Sequence, residues 1–381
     1  MRGEEHRVKT ATVLVKSVSR YEQPAVDLAV EEAFRRFLPD DLAGKTVAVK
    51  PNLLLARTPE NASTTHPAVV SAVCRAIGER GGTALIVESG GGPITPSSLE
   101  KLYETTGMKK AAEESGAALN FDCSSEKMPA PLGKTRKEFL VISSIRRADL
   151  IVSVAKLKTH GFMKMTASVK NLYGTIPGLH KAMMHREYPG KKEFASMICD
   201  LAEAFRPALN ITDAIVGMEG EGPSGGTPVR TGLLLASDDP FASDVVAAAI
   251  MGIRPQEAPI LREAIERKLV PASADEIETE GDDWRGKRPY RFPGEKKSIL
   301  GLLSGVLRYH IEDMTRAYPY ISDRCVSCGK CAGICPQKAI RKGEKRFRVH
   351  IDQCIRCYCC HEICPEKAID MVRKGKYPKN G

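Results

Sequence analysis

Eight of the twelve cysteines in this 381-residue chain fall into two copies of one spacing. Cys325-x2-Cys328-x2-Cys331-x3-Cys335-Pro336 comes first, and Cys354-x2-Cys357-x2-Cys360-x3-Cys364-Pro365 follows. The copies agree beyond their cysteines: CPQKAI at 335–340 matches CPEKAI at 364–369, an internal repeat that implies a pseudo-two-fold module. Thiolates are soft ligands, and the tight x2 spacing lets one loop wrap three corners of a cube.

The spacing is that of two-cluster bacterial ferredoxins, in which each run supplies a [4Fe–4S] cubane and its fourth cysteine ligates the other cluster. Two clusters are therefore expected, one on Cys325, Cys328, Cys331 and Cys364 and one on Cys354, Cys357, Cys360 and Cys335. Zinc sites use Cys pairs, but four cysteines in eleven residues ending in Cys-Pro is not a usual zinc layout. Disulfides would need an oxidising compartment, to which nothing in the chain points. Cys359 lies inside the second run but out of register and reads as a bystander; Cys74 reads as a core thiol.

Hydrophobic content of 42% and charged content of 27% describe an ordinary globular protein with room for two or three domains. The N-terminus has no apolar h-region, and the longest apolar run, residues 245–253, is too short for a bilayer. The expectation is a cytoplasmic, reduced protein with no membrane span. The formal charge of +10 favours anionic partners, with a solubilising surface as the plainer account. Basic residues crowd the module: Arg341, Lys342, Lys345, Arg346 and Arg348 stand ready to dock an acidic redox partner or to offset cluster charge. Nucleic acid is set aside, because Phe347 alone is too little interleaved aromatic surface.

The first ~280 residues alternate apolar strands and helices, which predicts a layered α/β domain with a mostly parallel sheet, followed by a small α+β two-cluster module. The pattern predicts strands at 46–53, 83–88, 118–122, 148–154, 209–216 and 231–236. It predicts helices at 67–77, with Pro67 first, at 99–115 behind a Ser97/Glu100 capping box, at 195–205, and at 240–251 capped by Asp239. The domains read as 1–281 for the α/β domain, 282–317 for a linker and docking helix, 318–372 for the module and 373–381 for a basic tail. GEGPSG at 220–225 matches G-x-G-x-x-G, but no helix follows, so it reads as a turn rather than a nucleotide site. Asp213, Glu219, Glu221, Asp239 and Asp244 scatter acids near it, a weak divalent-cation pattern.

Residues 156–192 read as loop-like and carry the most chemistry outside the module. Lys156, Lys158, His160, Lys164, Lys170, His180, Lys181, His185 and Arg186 lie there with one acid, Glu187. Imidazoles move protons near neutrality, a buried lysine serves as base or attachment point, and clustered cations hold carboxylate or phosphate. The plainer account is an exposed basic loop; its Gly, Met and Leu content argues against full exposure. His160, Lys170 and His185 are the candidate catalytic residues.

VAVKPNLL, the TTHPAVVSAVCRAI helix, KLKTH, VKNLYGTIPG, GMEGEGPSGG and DDPFASD, followed by the cysteine module, resemble the iron–sulphur proteins carrying domain of unknown function 362. The resemblance covers nearly the whole chain and implies the fold and the clusters, not a reaction. A remoter resemblance is to the lactate racemase family, since His160, Lys170, Ile176-Pro177-Gly178 and His185 fall in a similar order. Ser-Gly-Gly does not precede Lys170 and the Pro-Gly comes later, so that resemblance implies a site on this segment rather than a particular cofactor. The expected function is an oxidoreductase in which the clusters pass electrons to or from an anionic or carbonyl-bearing substrate in the α/β domain. The alternatives are a non-catalytic electron-transfer or docking protein serving a partner enzyme, and an enzyme whose clusters are structural.

Overall fold

The computed structural model describes residues 11–293 and 317–378. The expected helix at 299–316 lies outside the described residues. In chain order the large domain runs β1 (Thr12–Ser17), α1 (Gln23–Phe37), β2 (Thr46–Pro51), α2 (Pro67–Glu79), β3 (Thr83–Ile86), α3 (Pro96–Thr105), α4 (Met108–Ser115), β4 (Ala118–Leu119), a hairpin of β5 (Ser125–Pro129) and β6 (Glu138–Ile142), and α5 (Ser143–Arg147). It continues with β7 (Leu150–His160), β8 (Lys164–Thr166), α6 (Ser168–Asn171), α7 (Gly178–Glu187), α8 (Lys191–Phe205), β9 (Leu209–Glu219), β10 (Thr227–Ser237), α9 (Pro240–Ile250), α10 (Pro259–Glu266) and β11 (Glu278–Gly281).

One mixed, mostly parallel sheet runs β11-β1-β10-β9-β7-β2-β3-β4, with β8 folded back on β7. β2 pairs in parallel with β3 and β7, and β7 with β9. These central strands are covered on both faces, which is why TVAVKP is buried almost throughout rather than alternating. Phe34, Val73 and Ile77 pack one face of the sheet, and Phe194, Ile198 and Val246 the other.

Local chemistry sets the helix starts. Pro67 follows His66, whose Nδ1 accepts from Ala68 N at 3.2 Å. Asp239 accepts from the N–H groups of Phe241 and Ala242, as its place before Pro240 predicts. The expected helix 99–115 is two helices. Its capping box is Thr95 with Ser98, not Ser97 with Glu100, and Gly107, at φ 77°, breaks the run before α4. Residues 282–293 continue to pack on the sheet through buried Trp284, Tyr290 and Phe292.

Residues 156–192 are not a loop. β7 runs on to His160 and turns into β8, and two helices follow. A strand so rich in lysine is buried because each ammonium finds a partner inside. Lys156 Nζ lies 2.8 Å from Asp213 Oδ2, and Lys158 Nζ donates to Asn52 Oδ1 and to the Ser63 carbonyl, each at 2.6 Å. The register between β7 and β9 shifts here, from Lys156↔Asp213 to Lys158↔Met218, which leaves 214–217 as a bulge.

The C-terminal module has a β12 (Tyr318–Ile321) to β15 (Ile369–Val372) antiparallel pair and a β13 (Ile340–Lys342) to β14 (Phe347–Val349) hairpin. Two five-residue helices, α11 (Lys330–Ile334) and α12 (Cys359–Ile363), sit at equivalent places in the two repeats.

Candidate functional site

Cys325, Cys328, Cys331 and Cys364 ring one cavity in the module, and Cys335, Cys354, Cys357 and Cys360 ring another. The sulphurs surround space instead of meeting at a point: among the described residues no three His, Cys, Asp or Glu side chains are placed to hold a single metal ion. The backbone around them repeats as the sequence does. Ser327 N and Arg356 N each donate to the sulphur two residues earlier, Cys325 and Cys354, at 3.4 Å. Ala339 N and Ala368 N donate to Cys335 and Cys364 at 3.2 and 3.3 Å. Such N–H···S bonds stabilise thiolate ligands. Four free thiols around one cavity, with amides turned toward them, fit an iron–sulphur group in each half.

The module is pinned over the C-terminal ends of β2, β3 and β7. Arg57 donates to the Ser224 carbonyl and to the Cys364 carbonyl, both at 2.7 Å, and Ser224 Oγ donates to the Glu362 carbonyl at 2.9 Å. GEGPSG is thus a turn, as expected, and it clamps α12. Beneath the clamp lies a cavity of about 760 Å³, counting its open mouth. Asn52, Glu88, Lys158, Lys170, Asn171 and Lys181 form its polar end, while Leu54, Leu55, Ile334 and Ile363 form an apolar one. Cys359 borders both this cavity and the one ringed by Cys335, Cys354, Cys357 and Cys360.

The polar end is an arrangement of buried charges. Glu88 accepts from Lys50 Nζ at 2.7 Å and from the amides of Leu53 and Ser89 at 3.2 and 2.7 Å. Burial alone would raise its pKa; Lys50 and Lys181 hold it below the usual range. Lys181 Nζ donates to Ser89 Oγ and, at 2.6 Å, to the Gly90 carbonyl, and burial brings its pKa down to about 8 against the pull of Glu88. Burial, and then repulsion from Lys170, takes Lys158 down to about 7. Lys170 makes no hydrogen bond or ion pair among the described residues. Its Nζ stands 5.6 Å from the centre of the Tyr173 ring, and burial lowers its pKa while Glu362 opposes.

Of the three candidate catalytic residues, Lys170 and His185 line the cavity and His160 does not. His185 stacks on Phe194 with ring centres 4.2 Å apart. His160 is buried behind Glu362, with Nε2 3.2 Å from Glu362 Oε1, and its Nδ1 accepts from Phe162 N at 3.0 Å. Burial and Lys170 lower His160 to about 4, so its imidazole is neutral near pH 7. His180 and Arg186 are exposed. Asn52, Glu88, Asn171 and Glu362 were missed because each comes from a different element and none carries a motif of its own.

The acidic scatter does not converge. Asp213 pairs with Lys156, Glu219 with Arg291 at 2.7 Å, and Asp239 caps its helix. Asp244 accepts from Ser168 N at 2.6 Å and Val169 N at 3.1 Å, holding the start of α6, the short helix that carries Lys170 and Asn171. Asp244→Ala should cost about 2–4 kcal/mol, from a lost cap and two buried amides left unpaired, read by denaturant unfolding.

The fold and the site define an α/β protein with an iron–sulphur module closed over its strand ends. The chain belongs to the family described as domain of unknown function (DUF362), which matches residues 47–249; a 4Fe-4S dicluster domain matches residues 318–365. The thylakoid-associated protein sll1697 of Synechocystis sp. is 31% identical over 285 residues, covering 69% of this chain and 83% of that protein. Among solved structures, the lactate racemase apoprotein of Thermoanaerobacterium thermosaccharolyticum is 13% identical with a TM-score of 0.38, over 67% of this chain and 60% of that one. A Thermotoga maritima protein is 12% identical with a TM-score of 0.37, over 63% of this chain and 61% of that one. Among the described residues no helix is long and apolar enough to cross a membrane.

Proposed function

We propose that the chain is an iron–sulphur oxidoreductase in which two [4Fe–4S] clusters pass single electrons to or from a small anionic, carbonyl-bearing substrate in the cavity beneath the module. The observation that carries this reading is the shared wall: Cys359 borders both the cavity and the inner four-cysteine ring, so one residue separates them. The two repeats support it by their differences. The outer repeat has Gly329, Lys330, Ala332 and Gly333 where the inner one has Tyr358, Cys359, His361 and Glu362. The inner set faces the α/β domain. Cys359 and Glu362 line the cavity, His361 sits against Gly225, and the Tyr358 ring packs on Gly161. The inner repeat is thus specialised for contact with the large domain.

When bound, the clusters supply one electron at a time. The protein's own groups do the rest. Lys170, a cavity cation with no hydrogen bond or ion pair among the described residues, takes the substrate's anionic group, and the apolar end at Leu54, Leu55, Ile334 and Ile363 takes its carbon skeleton. Lys158 Nζ spends two of its three N–H donors on Asn52 and Ser63. The third is left to hydrogen-bond a substrate oxygen and to give it a proton. The module covers one side of the cavity and lowers the dielectric there, which strengthens each of these contacts. The ligand thiols require a reducing compartment.

The test is an EPR titration of anaerobically reconstituted, reduced protein with small 2-oxo and unsaturated carboxylic acids. An acid that perturbs the inner cluster's signal in the wild type and not in Lys170→Met supports the reading. If none perturbs it, the enzyme reading fails and the electron-transfer or docking reading stands.

Affinity for such an acid should depend on pH in one direction. Lys158 and Lys181, with pKa values of about 7 and about 8, are protonated below those values and neutral above. Anion binding should therefore be full on the acid side and weaken as pH rises through 7–8, by at most about tenfold per pH unit for each proton linked. Calorimetric titration from pH 6 to 9 checks this, and Lys158→Met should remove the lower of the two transitions.

A further inference from the structure

The two halves of the module differ in exposure as well as in sequence. Cys328 of the outer ring is exposed, and Val326 beside it is 63% exposed, whereas Tyr358, Cys359 and Cys360 of the inner repeat are buried. The outer ring, through Cys328, is therefore more open to solvent than the inner ring, whose Cys335, Cys354 and Cys357 are half-buried and whose Cys360 is buried. The tip of the β13–β14 hairpin rims this open side. Ser327 Oγ donates to the Lys345 carbonyl at 3.4 Å, and Phe347 lines the outer cavity.

The rim is mainly basic, although Glu366 lines the outer cavity and the exposed Asp323 pairs with Arg346. From 330 to 348 there are seven Lys or Arg residues and one acid, Glu344. Lys330, Lys342 and Lys345 are exposed. A small apolar centre at Val326, beside the exposed Cys328 and inside a predominantly basic rim, is the layout of a surface for brief, electrostatically steered encounters.

We propose that this face, the loop 326–330 with the hairpin tip 342–345, is the docking surface for an acidic single-electron carrier protein. The complementary sign selects the partner: a carrier with a negative patch around its redox centre is drawn in, and a basic one is repelled. A cluster held by Cys325, Cys328, Cys331 and Cys364 would accept there the single electron that the carrier gives up, with no bond or proton moving. The inner centre and the cavity lie on the opposite, covered side, so the module has separate entry and delivery faces. This assignment rests on the two-cluster reading above and not on the identity of the substrate.

The experiment uses the full, reconstituted chain and a net-negative two-cluster ferredoxin as probe. Its association is measured by calorimetry, and electron transfer by anaerobic stopped flow, from about 0.01 M to about 1 M salt, over which the screening length falls from about 30 Å to about 3 Å. Lys342→Glu/Lys345→Glu should weaken association and slow transfer roughly tenfold or more at low salt and flatten the salt dependence. Iron content and reduction by photoexcited deazaflavin, a small uncharged reductant, should not change. A control, Lys101→Glu/Lys110→Glu, places the same charge change on the far helices and should leave binding intact. Equal losses in both variants would mean that only net charge matters, and no loss in either would mean that the carrier docks elsewhere; each overturns the proposal. So does self-association of the chain that the hairpin variant abolishes, since the face would then belong to a second copy. Failure here with an intact response of the cavity to acids would leave the proposed function standing.

Discussion

Cys360→Ala should lower the iron content of anaerobically reconstituted protein from about eight to about four atoms per chain, or convert one cluster to a smaller form, whereas Cys359→Ala should leave it at about eight. The two residues are adjacent, both buried and both beside the inner cavity. Spacing separates them: Cys360 is the third member of a run whose partner copy has Cys331 in that place, and Cys359 corresponds to Lys330. Their surroundings separate them as well, since Cys359 alone of the two also faces the large cavity. Iron and sulphide analysis with EPR of the reduced protein reads the result. The reverse pattern, with Cys359 essential and Cys360 dispensable, would shift the ligand register and remove the residue that here divides cluster from cavity.

Lys170→Met should abolish the response of the inner cluster to added acid, with a loss in affinity of about 1.5–3 kcal/mol, roughly tenfold to a hundredfold, for one charge-assisted contact. Unfolding should move little or toward greater stability. Lys170 is a half-buried ammonium with no hydrogen bond or ion pair among the described residues, held only by the Tyr173 ring and the attraction of Glu362, and methionine removes its desolvation cost while filling similar space. A lysine that only held the fold would behave the opposite way, losing stability and leaving ligand response intact. Calorimetric titration beside denaturant unfolding of the same variant distinguishes the two.

Strands β2, β7 and β9 were legible because central parallel strands are apolar on both faces, and β2 alone reads TVAVKP. The cap of α9 was legible because an Asp-Pro step admits few conformations. The capping box before α3 lies two residues earlier than the Ser97/Glu100 pattern predicts. Thr95, Ser97 and Ser98 offer competing hydroxyls, and only the backbone path decides which one accepts. Residues 156–192 read as a loop in the sequence for a more general reason. Lysine and histidine signal exposure when counted along a chain, and they signal a site only when their partners, here Asp213, Asn52 and Glu362, are known.

The pair of cysteine rings and the α/β character of the large domain can be read from the chain without its fold. Ligand spacing and strand periodicity are local properties, set within a few residues of one another. Three-dimensional packing sets the rest: the inner repeat faces the α/β domain and the outer one is more open to solvent, Lys170 and His185 reach one cavity while His160 stands behind Glu362, and Cys359 divides that cavity from the inner ring. Each of these depends on bringing together chain segments about 100 to 300 residues apart. That placement follows from packing the module over the strand ends, and no local pattern encodes it.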